Sequence, residues 1–109
     1  FGPPASLEKS LKVLNETLAA QRLTGDIRIE EGSGISRDNR LTARGLAKVL
    51  ALFAPHADLM TGPDNSLTKT GTMDGVRTLA GYTDTKDNGR VRLVISLRSN
   101  DTAMHTRLL

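Results

Sequence analysis

Four consecutive residues, Lys69, Thr70, Gly71 and Thr72, have the makings of an anion receptor. The lysine supplies a positive charge, Thr70 a hydrogen-bonding hydroxyl, and Gly71 leaves room for a ligand to lie flush against the backbone. A peptide could add itself to such a strand through main-chain hydrogen bonds. A second group, Ser33, Ser36, Asp38 and Asn39, crowds the glycine-flexed stretch "GSGISRDN". A serine hydroxyl close to a side-chain amide can relay a proton and hold a substrate amide at once. Each string also has a plain structural reading when taken alone. The first is then an exposed strand lysine in water, the second a turn that satisfies its own backbone.

Other chemistries find little support. His56 and His105 are far apart and neither has a partner at metal-ligand spacing, so no metal site is expected and both read as surface residues. Asp38, Asp64, Asp74, Asp84 and Asp87 are dispersed over turn positions, which turn chemistry explains without paired-carboxylate catalysis. There is no cysteine, hence neither a disulfide framework nor a thiolate site, and nothing calls for a cofactor. The net charge of +3 is spread along the chain and aromatic residues make up only 3%, so nucleic acid lacks both a basic face and a stacking platform. No apolar run is long enough to span a bilayer.

The elements that must carry the two groups follow from periodicity. Ser6 can cap a helix in which Leu7, Leu11, Leu14 and Leu18 share one side, and "LTGD" at 23 to 26 punctuates it. "DIRIE" alternates as a short half-buried strand, and residues 31 to 40 read as a loop. Thr42 can cap a second helix with Leu46, Val49, Leu50 and Phe53 on one face, ended by Pro55. Three strands follow, "SLTKTGT", "VRTLAGYT" and "RVRLVISL", with Asn88-Gly89 suited to a type I′ turn between the last two. "NDTAMHTRLL" reads as the start of a helix. The pattern predicts an α+β fold within a single domain of 109 residues, ending in a three-stranded antiparallel meander packed with helices.

Taken together and in order, "GSGISRDNRLTARGLAKVLALF", "KTGTMDGVRTLAGY" and the final apolar strand resemble the C-terminal part of the class C low-molecular-mass penicillin-binding proteins, the D-alanyl-D-alanine carboxypeptidases of peptidase family S13. The resemblance implies a partial β-lactamase/transpeptidase-like fold and a periplasmic or cell-envelope location. It also implies a serine-type hydrolase that acts on peptidoglycan stem peptides through an acyl-serine intermediate and is acylated by β-lactams. Such enzymes combine S-x-x-K, S-x-N and K-T-G motifs. By the resemblance Lys69 attracts the substrate carboxylate and Thr70 hydrogen-bonds it. Thr72 lends its N–H to the oxyanion hole and its carbonyl to the substrate amide, beside Gly71. Ser36 assists proton delivery to the leaving D-alanine, with Asn39 beside it. A strict S-x-N spacing puts Asp38 where asparagine belongs, whereas the wording of the whole stretch favours Asn39.

The nucleophile is the missing corner. Ser6-Leu7-Glu8-Lys9 fits the string S-x-x-K, but Ser6 follows two prolines and opens an amphipathic helix, so it reads as a helix cap. The chain is then expected to be a C-terminal fragment of the transpeptidase-like domain, residues 1 to 109, inactive by itself. Its last strand would have an open edge through which residues 90 to 97 pair with a second copy. A non-catalytic module that holds a peptide carboxylate at Lys69 is the alternative.

Overall fold

A computed structural model describes residues 2 to 101 and residue 107. The chain divides into two compact units, Phe1–Gly45 and Leu46–Leu109.

In the first unit, helix α1 spans Leu7–Ala20. Ser6, in extended conformation, accepts a hydrogen bond from the Lys9 N–H at 3.2 Å, which satisfies one of the helix's unpaired donors. At the other end Arg22 takes φ 57°. There the Arg22 N–H donates to the Ala19 carbonyl at 3.0 Å and the Leu23 N–H to the Leu18 carbonyl at 2.8 Å. This closes the helix in a Schellman arrangement with arginine where glycine is usual. The stop therefore lies ahead of "LTGD". No α1 residue is fully buried, and Leu7 is 63% exposed.

The strand expected over "DIRIE" is only two residues, β1 (Ile27–Arg28). It pairs antiparallel with β2 (Arg40–Leu41), which falls at the edge of the expected loop. The ladder ends there because the Asn39 side-chain oxygen takes the Glu30 N–H at 2.7 Å and the Glu31 N–H at 3.2 Å.

Helix α2 spans Ala43–Phe53 and is capped by Thr42, whose hydroxyl accepts the Gly45 N–H at 2.9 Å. Pro55 stops the α-helix, and the chain runs on as a 3-10 turn over Ala54–Leu59. In the second unit Leu50 of α2 is buried with Ala57 and Tyr82, and Phe53, Met60, Leu67, Ala80 and Val94 pack around them. Burying each large apolar side chain of this kind stabilises by about 1.5–3 kcal/mol.

The sheet is the expected antiparallel meander, β3 (Leu67–Met73), β4 (Val76–Thr85) and β5 (Gly89–Leu97), in that order. The register sets Leu67 opposite Tyr82, Lys69 opposite Ala80 and Gly71 opposite Thr78. The β4–β5 connection differs from the expected type I′ turn: Gly89 has φ 64°, but Asn88 has no positive φ. Thr85 pairs with Gly89 across a three-residue loop. The Thr85 hydroxyl holds this loop shut, accepting the Asn88 N–H at 3.1 Å and donating to the Gly89 carbonyl at 2.9 Å. A turn closed by one left-handed glycine is the next most favoured hairpin class. The helix expected from residue 100 onward lies outside the described residues. No described helix is long and apolar enough to cross a membrane.

Candidate functional site

The loop after β1 is organised by a residue that pattern reading passed over, Glu31. One carboxylate oxygen, Oε2, accepts the Ser33 N–H at 2.6 Å and also the Ser33 hydroxyl. The other, Oε1, accepts the Ser36 N–H and an Asn39 side-chain N–H, both at 2.9 Å. The Asn39 amide nitrogen also donates to the Glu31 carbonyl at 3.2 Å. Asn39 is thus committed at both ends of its amide to Glu30 and Glu31. Asp38 is exposed, and its backbone N–H donates to the Ser36 hydroxyl oxygen at 3.1 Å. The geometry draws Ser36 and Asn39 together and leaves the Asp38 carboxylate facing water.

Hydrogen bonds that favour the ionised form hold the Glu31 carboxyl at about 2, against an ordinary value of 4.5. The Ser33 hydroxyl is the largest cause, followed by the Ser36 N–H. Glu30 next door is drawn off by Arg28, 2.8 Å away. The signal that could have found Glu31 is an acid directly before "GSG", with three hydroxyl or amide side chains in the next eight positions.

Lys69, Thr70, Gly71 and Thr72 all lie on β3, in the second unit. Leu67, Ala80 and Tyr82 face the core, so alternation and register place Lys69 and Gly71 on that face and Thr70 and Thr72 on the other. A single ligand reaches both Lys69 and Thr70 only along the strand's open edge. That edge is available, since among the described residues β3 pairs only with β4. Lys69 is exposed, and its ammonium donates to the Thr70 carbonyl at 3.0 Å.

Beside it lies a largely apolar depression of about 700 Å³, bordered by Lys69, Thr70 and Gly71 on the strand side and by Val49, Phe53 and Met60 on the other. Gly71 lies tight against the neighbouring strand. A β-carbon there would meet the Thr78 hydroxyl at 2.3 Å.

Neither serine of the S-x-x-K type is paired with its lysine. Lys9 directs its ammonium to the carbonyls of Gly2 (3.0 Å) and Pro4 (2.7 Å) while Ser6 caps α1. A second such string, Ser66-Leu67-Thr68-Lys69, escaped pattern reading because it overlaps the K-T-G motif. Its Ser66 hydroxyl shares a 2.7 Å hydrogen bond with that of Thr68.

A family model described as the D-Ala-D-Ala carboxypeptidase 3 (S13) family matches residues 2–64, more than half of the chain. The matched stretch contains Glu31, Ser36 and Asn39 and ends before Lys69. No curated protein and no solved structure matches.

Proposed function

The chain belongs to the D-Ala-D-Ala carboxypeptidase 3 (S13) family, and on that premise we propose that it is the substrate-recognising part of a serine-type D-Ala-D-Ala carboxypeptidase or endopeptidase of the cell envelope. The substrates are peptidoglycan stem peptides, and β-lactams engage the same groove. The observation that carries this reading is the family match across the loop that holds Ser36 and Asn39.

In this reading the terminal carboxylate of the substrate approaches the Lys69 ammonium along the open β3 edge. Thr70 hydrogen-bonds it, and Thr72 offers its main-chain groups. Thr72 N–H would stabilise the oxyanion, and preorganised donors of this kind supply a large share of acyl-transfer rate. To Ser36, on the loop of the first unit, the family membership alone assigns delivery of a proton to the leaving D-alanine, with Asn39 beside it in that loop. The nucleophile and its base are not among these residues. Without them acyl transfer loses most of its rate, and the polypeptide by itself recognises without turning over.

A fluorescent penicillin is expected to leave the isolated chain unlabelled, and covalent label on Ser6 or Ser66 would overturn the division of labour. Calorimetric titration with an N-acylated peptide ending in D-Ala-D-Ala should show binding that Lys69→Ala weakens by about 10- to 100-fold, the range for a charge-assisted contact. Equal affinity in the variant would remove Lys69 from the site. A module that binds peptide carboxylates without any catalytic parent would accept peptides ending in L-Ala-L-Ala equally well.

A further inference from the structure

We propose that Glu31 is the positioning residue of the serine-asparagine loop, a single carboxylate that fixes the Ser36 backbone and the Asn39 amide in one arrangement. The inference rests on the role given above to Ser36 and Asn39.

The geometry is specific. A carboxylate offers acceptor sites on two oxygens and no donor. Here Oε2 is taken by Ser33 through its N–H and hydroxyl, and Oε1 by the Ser36 N–H and an Asn39 side-chain N–H. The Glu31 backbone closes the circle, its N–H going to the Asn39 oxygen and its carbonyl accepting from the Asn39 nitrogen. Residues 31, 33, 36 and 39 therefore form one ring of hydrogen bonds across a stretch with two glycines and no apolar anchor, since Ile35 is 79% exposed. The Ser36 hydroxyl enters this ring only as acceptor of the Asp38 N–H. Among the described residues its own proton is uncommitted, as a proton-delivering group requires.

Glu31 is the carboxylate on which the donors of the loop converge. Arg28, Glu30, Asp38 and Arg40 border a separate depression, and Glu30 is engaged by Arg28. Replacing Glu31 by glutamine presents an N–H₂ group to one of two sets of donors, so half of the ring must open. Aspartate keeps the charge on a stem one methylene shorter. It should restore one set of contacts.

The test uses the whole chain. Nuclear magnetic resonance should show the Asn39 side-chain amide and Ser36 N–H signals unchanged from neutral pH down to about pH 3.5, where an ordinary glutamate is already mostly protonated. Glu31→Gln should move both signals at neutral pH while those of β3 to β5 stay in place. Glu31→Asp, which keeps the charge, should bring both signals part of the way back.

Protonation of Glu31 at an ordinary value without any response at Ser36 and Asn39 overturns the proposal, and this measurement needs only the wild-type chain. Ser36 and Asn39 signals that stay in place in Glu31→Gln also overturn it, because another group would then hold the loop. If the wild-type chain binds no peptide, the functional reading falls, and the resonance experiment alone decides whether Glu31 sets the loop.

Discussion

Gly71 and Thr78 face each other across the β3–β4 ladder so closely that a β-carbon on Gly71 would sit 2.3 Å from the threonine hydroxyl. A side chain at the glycine of the K-T-G string would thus force Thr78 to shift, before any ligand is considered. Gly71→Ala should destabilise the chain by about 1–3 kcal/mol, the usual cost of overpacking. Thr78→Ala, which removes the obstructing hydroxyl, should return most of that loss in the double variant. Urea unfolding of the two single variants and the double checks it, and additive losses would exclude the contact as the cause.

Ser6 acts on α1 alone. Its hydroxyl satisfies the Lys9 N–H, so Ser6→Ala should cost about 1 kcal/mol. Ser6→Asp should cost almost nothing, because aspartate caps equally well. Circular dichroism during thermal unfolding reads both. A nucleophile would tolerate neither change, so any penicillin labelling that survives Ser6→Asp would have to come from another residue.

The Glu31 carboxyl lies below its unfolded value, so it favours the folded loop whenever it is ionised. The difference in urea midpoint between wild type and Glu31→Gln should be constant above about pH 5.5. It should narrow as pH falls through the ordinary value of 4.5 and close only below about 2, where both side chains are uncharged. A difference that grows toward acid would have the wrong sign and would exclude the hydrogen-bond ring as its source.

Strand β5 pairs only with β4 among the described residues, which leaves an open edge nine residues long without proline. Such edges recruit a second chain. Antiparallel self-pairing centred on Val94 would set Arg90 against Arg98, whereas centring on Leu93 sets Arg90 against the exposed Ser96. The second register is expected to win. Ser96→Lys should then abolish dimerisation, and Ser96→Glu should tighten it by about 2- to 30-fold through two symmetric ion pairs. Light scattering against concentration measures this, and a wild-type chain that stays monomeric at the highest concentrations would rule the edge out as an interface.

Both helices and the meander were legible in the sequence because each repeats a simple period and carries its own punctuation. Ser6 and Thr42 cap as their positions imply, and Val91, Leu93, Ile95 and Leu97 alternate along β5. What escaped depends on contacts between residues whose types say little alone. Glu31 looks like any surface acid until the Ser33, Ser36 and Asn39 donors converge on it. Arg40–Leu41 is too short for a period to register, and the Asn88-Gly89 turn was decided by the Thr85 hydroxyl. Gly71 invited a reading about ligands, while the close neighbour is Thr78 on the adjacent strand. The candidate site was therefore legible as two strings, but the bonds that shape each string were not.

Tyr82, buried against Leu50 with its hydroxyl donating to the Leu50 carbonyl, is the chain's single tyrosine, and there is no tryptophan. Its ultraviolet emission therefore comes from one ring, tethered to α2 within the second unit. The first unit is dark in that signal but contributes its helix to far-ultraviolet dichroism. Recording both during one denaturant titration separates the melting of the two units without any label, and coincident curves would mean that they unfold together.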